Sequence, residues 1–233
     1  MSRAAGQARG GRARARRQQD LLSQSLLPRA PLERIAADAV LLPGAASDVA
    51  EALLAALQPV LAAAPWRHMV TPGGLSMSVA MSNCGQVGWV SDRRGYRYDT
   101  HDPHSALPWP PMPAPLRALA LRAARMAGFG GFEPDACLIN RYAPGTRLSL
   151  HQDRNERDLS APVVSVSLGL PALFLFGGQR RADPAQRIPL VHGDVVVWGG
   201  AARLAFHGVA PLADAEHALT GRCRINLTFR HAL

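Results

Sequence analysis

The sequence predicts a mainly β fold, a sandwich or jelly roll with flanking helices, from three observations. From Ala136 to Arg230 seven short apolar-rich segments are separated by Gly, Pro and Asp, the spacing of strands joined by turns. The last of them alternates without a break, with Arg224, Asn226, Thr228 and Arg230 on one face and Ile225, Leu227 and Phe229 on the other. That is the two-residue period of a strand. The 3.6-residue period of a helix is confined to two stretches that precede residue 128.

A length of 233 residues suits one sizeable core. We therefore expect residues 1–34 to be a basic, disordered extension and 35–233 a single domain, with 66–111 as a cover over it. The formal net charge is +9, and the chain contains no Lys, so its permanent positive charges are all Arg. Such a balance favours nucleic acid or another anionic surface as partner, and guanidinium groups suit bidentate contacts. Six arginines before residue 18, offset by Asp20 alone, put +5 of that charge in the tail. Its composition fits a disordered segment, an organelle transit peptide or a plain solvated extension. Cys84, Cys137 and Cys223 form no paired motif, which argues for a reducing compartment, and the cytoplasm is the expected place. The uncharged run 161–178 is interrupted by Gly169 and Pro171, so it reads as two buried strands and not as a membrane span.

A short strand is expected at Ala39–Leu42. Asp48 and Glu51 have the spacing of a capping box, and Val49, Leu53, Leu57 and Leu61 share one face of the helix that follows. Pro59 should end or kink that helix. A second helix starts at Pro115, aligns Leu116, Leu119, Ala123 and Met126, and stops before Gly128. Between the two, the stretch 66–111 mixes glycines, methionines and aromatics with Arg67, Arg93, Arg94 and Arg97. It suits a stacking platform for bases or, equally, a two-hairpin cover whose aromatics fill core. The strands then run 136–142, 148–152, 162–170, 172–176, 193–197, 204–207 and 222–230.

The chemistry concentrates between Asn140 and Asp153. His151 and Asp153 are two residues apart, which puts an imidazole and a carboxylate on one side of a strand. With His207 they supply the two imidazoles and one carboxylate of a non-haem Fe(II) oxygenase centre. Arg224 and Arg230 could stand in water or hold a dicarboxylate, with hydrogen bonds added by Asn140 and Tyr142. His68, His101, His104, His192, His217 and His231 have no comparable partners and read as surface or structural residues.

The set Asn140-x-Tyr142, His151-x-Asp153, His207 and Arg224-x-Asn226-x-Thr228-x-Arg230 resembles the AlkB family of Fe(II)- and 2-oxoglutarate-dependent dioxygenases, which repair alkylated nucleic acid bases. The stretches 69–74, 83–89 and 135–145 are similar to the family's bacterial members nearly residue for residue, and the resemblance spans residues 66–230.

That resemblance implies a double-stranded β-helix, a jelly roll, with a nucleotide-recognition cover of short hairpins. It implies Fe(II) on His151, Asp153 and His207, which are also the catalytic residues. The 2-oxoglutarate would be bound by Asn140, Tyr142, Arg224, Asn226 and Arg230, with Arg224 at the distal carboxylate and Arg230 near the metal-bound end. The substrate would meet Trp89, Tyr96, Asn155, Arg181, Thr71 and Met81. The implied reaction consumes O2, decarboxylates 2-oxoglutarate to succinate and removes methyl groups as formaldehyde from bases of the 1-methyladenine and 3-methylcytosine type. Single-stranded DNA, or duplex DNA with the base flipped out, is the implied partner, with RNA also open. The protein would act as a monomer without a membrane. Where the family carries a carboxylate at position 155 this chain has Asn155, which bears on lesion preference. The rival readings are an RNA or protein demethylase or hydroxylase on the same iron core, and a cupin-like binding module without turnover. The paired arginines of the last strand argue against the module.

Overall fold

Two β-sheets face each other across an apolar layer, and helices cover the outer side of the larger one. The computed structural model describes residues 30–233, so the expectations about the tail through residue 29 lie outside the described residues. The elements in chain order are β1 (Glu33–Ala36), β2 (Ala39–Leu42), α1 (Ala50–Ala63), β3 (Ala80–Gly85), β4 (Gly88–Asp92), β5 (Gly95–Asp99), α2 (Ala114–Met126), β6 (Ala136–Tyr142), β7 (Leu148–His151), β8 (Val163–Gly169), β9 (Ala172–Phe176), β10 (Gln186–Leu190), β11 (Val195–Trp198), β12 (His207–Val209) and β13 (Arg224–Arg230). The larger sheet has the order β1-β2-β11-β8-β13-β6-β3, the smaller β10-β9-β12-β7, and β4-β5 form a separate hairpin. This is the expected mainly β jelly roll. Among the described residues no helix is long and apolar enough to cross a membrane.

Alternation along the strands of the larger sheet builds two cores. Val40, Val164, Val166, Val195, Val197, Ile225, Leu227 and Phe229 point outward and pack under α1 and α2. Leu41, Leu138, Tyr142, Val196 and Trp198 point inward and meet Phe174, Phe176, Ile188 and Leu190 of the smaller sheet. Each fully buried large side chain contributes about 1.5–3 kcal/mol of transfer free energy. Strand β13 lies between β6 and β8 in unbroken antiparallel register. Both of its faces are buried, so the alternative that leaves its polar face in water does not hold.

Several expectations need correction. Asp48 and Glu51 form no capping box: Ser47–Val49 is a 3-10 turn, and α1 starts at Ala50 without a side-chain cap. Pro59 neither ends nor shortens α1, which runs on to Ala63; its missing N–H costs one backbone bond, and the packed Leu53, Leu57 and Val60 outweigh that. Met126 is exposed and Ala120 and Ala124 take its place in the core, because α2 presents its small residues to the sheet. Strands β1 and β10 are additions; Pro189 obscured β10, which is an edge strand and therefore tolerates proline. Strand β12 begins only at His207, after a 3-10 turn at Gly200–Ala202. The cover contains the β4–β5 hairpin and a second antiparallel turn-back in which Arg67 pairs with Met81 and Val70 with Ser76, while β3 also pairs with β6 in the larger sheet.

Candidate metal centre and active site

Strand β7 ends at His151, so Asp153 is not on the strand whose alternation first suggested the pair. The chain turns inward after His151 instead, and His151, Asp153 and His207 still bring one ligand atom each within 4.8 Å of one another. His151 is paired with His207 across the β7–β12 ladder. Both Nε2 atoms face the carboxylate, at 3.8 Å from Oδ1 for His151 and 3.7 Å from Oδ2 for His207. The Nδ1 atoms sit 2.9 Å from Ser149 O and 3.0 Å from Ala205 O. A carbonyl can only accept, so each Nδ1 carries the proton and each Nε2 offers its lone pair to the same point. Two neutral imidazoles and one carboxylate with open positions form a donor set that fits Fe(II).

The charges around this point are buried. Burial works against ionisation of Asp153, but Arg230, His207 and His151 outweigh it and hold the carboxyl well below the ordinary range. Arg230 donates to Asp153 Oδ2 from Nε at 2.9 Å and from Nη2 at 2.7 Å. Burial, with His151 alongside, pushes the His207 imidazole down to about 4. Trp198 forms a wall beside His207, with ring centroids 4.9 Å apart.

At the other end of β13, Arg224 is 1 % exposed and donates to Ser167 Oγ at 2.9 Å, while its Nε and Nη1 have no hydrogen-bond partner among the described residues. It lies 5.0 Å over the Tyr142 ring, and burial lowers its affinity for its proton. A buried guanidinium with two idle donors calls for an anion, so the residues fit one end of a dicarboxylate. Asn226 Nδ2 donates to Ser165 Oγ and Val166 O, and Asn140 Nδ2 reaches Asn226 Oδ1 at 3.3 Å. The Asn140 side-chain oxygen has no donor among the described residues.

A family model described as the 2OG-Fe(II) oxygenase superfamily matches residues 38–230. The alpha-ketoglutarate-dependent dioxygenase AlkB of Escherichia coli strain K12 is 57% identical over 200 residues, 86% of this chain and 93% of that protein. The chain belongs to the AlkB family of 2OG-Fe(II) oxygenases. An AlkB homolog of Caulobacter vibrioides is 46% identical over 170 residues, 72% of this chain and 76% of that protein. The solved structure of OsALKBH1 superposes with a TM-score of 0.76 at 27% identity, covering 86% of this chain and 100% of that one. The chain is an Fe(II)- and 2-oxoglutarate-dependent dioxygenase, with O2 as co-reactant.

In this AlkB-family chain the cover carries one aromatic stack and meets the candidate metal loop through two hydrogen bonds. Trp89 and Tyr96 are stacked, with centroids 5.7 Å apart and planes 13° apart. Trp89 Nε1 donates to Asn155 Oδ1 at 3.3 Å, and Tyr98 OH donates to Glu156 Oε1 at 2.7 Å. Met81 is buried opposite Asn140 in the β3–β6 ladder. Thr71 spends its hydrogen bonds inside its own turn, on Leu75 and Gly74. Arg181 is exposed and stands 5.3 Å over Phe206, the neighbour of His207, so it borders the site without entering its bonded network.

Three participants were not legible in the sequence. Glu156 is buried and forms ion pairs with Arg203, Nη2 to Oε2 at 3.2 Å, and with Arg230, Nε to Oε1 at 3.3 Å. Arg203 also donates from Nη1 to Asp153 O at 2.7 Å and from Nε to Ala161 O at 2.9 Å, which pins the backbone of the metal loop. Burial raises the Tyr98 phenol well above its ordinary value and keeps it a donor. The one available signal was Arg203 itself, a single charge in the apolar run Ala201–Phe206, since isolated charges in such runs are buried only with partners. His192 and His217 stack on each other 4.5 Å apart, and His192 Nδ1 accepts from Gly169 N, a structural role.

Proposed function

We propose that this dioxygenase demethylates nucleic acid bases, with 1-methyladenine and 3-methylcytosine in DNA as the substrate type. The observation that carries the reading is the Trp89–Asn155 hydrogen bond. It sets a stacked aromatic pair two residues along the chain from Asp153, in reach of a base taken out of its stack. The relatives support it: the mouse protein named nucleic acid dioxygenase ALKBH1 is 36% identical over 134 residues. The reading takes single-stranded nucleic acid as the preferred form, a monomer as the working unit and, on the kinship with bacterial proteins, the cytoplasm as the place.

His151 Nε2, Asp153 and His207 Nε2 would hold Fe(II) on one face, with Nδ1–H bonds to Ser149 and Ala205 keeping both rings in register. Bound Fe(II), with 2-oxoglutarate and O2, supplies the oxidation that removes a hydrogen from the N-methyl group and leaves oxygen on its carbon. Arg224 would anchor the far carboxylate through Nε and Nη1, and Tyr142, lying against it, would shape that end. Arg230 would neutralise the near carboxylate while keeping its bond to Asp153. Trp89 and Tyr96 would grip the base by stacking, and the second lone pair of Asn155 Oδ1 would take an exocyclic amino hydrogen. The hydroxyl on that carbon then gives its proton to solvent as the N–C bond breaks, which leaves the electron pair on the ring nitrogen and releases formaldehyde.

The test is mass spectrometry of methylated oligonucleotides incubated with iron, ascorbate and 2-oxoglutarate. Loss of the methyl mass with formaldehyde and succinate in equal amounts is expected. Succinate formed with no mass change in any methylated oligonucleotide would remove nucleic acid from the reading.

A further inference from the structure

The base-gripping hairpin is a two-stranded ribbon, and such ribbons are marginal by themselves. Its register pairs Trp89 with Tyr98, Val90 with Arg97, Ser91 with Tyr96 and Gly88 with Asp99. Cross-strand partners share a face. Trp89, Tyr96 and Tyr98 therefore occupy one face, and Val90, Asp92, Arg97 and Asp99 the other. On that second face Val90 is buried with Ala64 and Trp109.

Beside Val90, Arg97 on β5 reaches across to Asp92 on β4 with two parallel bonds, Nη1 to Oδ1 at 3.1 Å and Nη2 to Oδ2 at 3.0 Å. Its Nε donates to Asp99 Oδ2 at 3.4 Å. Asp92 also accepts the backbone N–H of Arg94 at 2.8 Å, so one carboxylate ties the turn to the strands. The guanidinium and both carboxylates are each about one-third exposed or less. The Arg97 bond draws the Asp92 carboxyl down to about 2, so the tie persists throughout neutral and mildly acidic pH.

Resting on the proposed demethylase reading, we infer that Arg97 is a positioning residue: clamped between Asp92 and Asp99 on the hairpin face opposite Trp89 and Tyr96, it holds those two rings in stacking register for the base. It touches neither base nor metal. Isolated exposed ion pairs contribute little, but a bidentate Arg–carboxylate pair within a network is the exception.

The test uses the full chain in three forms, wild type, Arg97→Met and Asp92→Asn. Arg97→Met keeps most of the side-chain stem and removes the fork. Amide hydrogen exchange across 88–99 should quicken by about threefold to fivefold in both variants, the size such a pair delivers. KM for a methylated oligonucleotide should rise by a similar factor, while kcat and the base-independent release of succinate hold. Unchanged exchange and KM in Arg97→Met would overturn the inference. So would a KM raised by Arg97→Met but not by Asp92→Asn, because the guanidinium would then be meeting a phosphate directly. If the wild type fails to demethylate, the proposed function falls, and the exchange rates still decide the clamp.

Discussion

Trp89 Nε1 donates a hydrogen bond of 3.3 Å to the side-chain oxygen of Asn155. One residue of the cover is thus tied to a residue two places beyond the proposed ligand Asp153, at the position where the resemblance to the family implies a carboxylate. The amide oxygen keeps an acceptor for the indole and another for a base, but it carries no charge.

That exchange predicts a smaller preference for cationic lesions, and Asn155→Asp should restore it. A carboxylate beside a cationic base is worth a few kcal/mol before desolvation and about 1–2 kcal/mol net. The ratio of kcat/KM for 3-methylcytosine to that for a neutral lesion such as ethenoadenine should therefore rise by about fivefold to thirtyfold. No rise would show that position 155 does not read charge.

His151→Ala and Asp153→Ala should each abolish iron retention and turnover, since two remaining ligands do not hold Fe(II) facially. Iron content after desalting, with succinate release, checks both. Full iron content with activity in either variant would move the metal elsewhere.

Arg224→Lys should raise the 2-oxoglutarate requirement by about tenfold or more, because charged hydrogen bonds are worth about 1.5–3 kcal/mol and a point charge cannot replace the fork. Saturation curves for the cosubstrate decide this, and superimposable curves would place the far carboxylate away from Arg224.

Glu156→Gln should destabilise the fold by about 3 kcal/mol, because Arg203 and Arg230 lose their shared counter-charge in a buried setting. Tyr98→Phe, which deletes one hydrogen bond to the same carboxylate, should cost about 1 kcal/mol. Urea unfolding of the two variants gives the comparison; the reverse ranking would mean that Glu156 is not the hub of the network.

The metal-free protein should lose stability on acidification between pH 6.5 and 4. An unfolded histidine titrates near ~6.5, whereas burial lowers His207 in the folded chain to about 4. Across that window the unfolded chain binds more protons, so stability rises with pH and falls as acid is added. The full effect is on the order of 3 kcal/mol. Denaturation of chelator-treated protein at the two ends of the window measures it, and His207→Gln should flatten the dependence. An equally steep dependence in that variant would assign it to other groups.

What the sequence by itself determined is whatever local geometry repeats. The two-residue period of β13 separated Arg224, Asn226, Thr228 and Arg230 from Ile225, Leu227 and Phe229, and the structure keeps that division. The candidate trio His151, Asp153 and His207, which the structure brings together, was legible because few residue types bind metal, although the strand argument for it failed at His151, where β7 ends. The helices were placed by periodicity, and the departures, a helix that runs past Pro59 and an exposed Met126, come where packing against the sheet overrides a local rule. Only the tertiary structure decided that both faces of β13 are buried, that Arg224 waits with idle donors, and that Glu156 gathers Tyr98, Arg203 and Arg230. Those partners lie 58, 47 and 74 residues from Glu156 along the chain. A strand's alternation is imposed by its own backbone and can be read from adjacent letters. An ion pair between distant segments exists only where the folded chain crosses itself and excludes water, and no local pattern encodes that crossing.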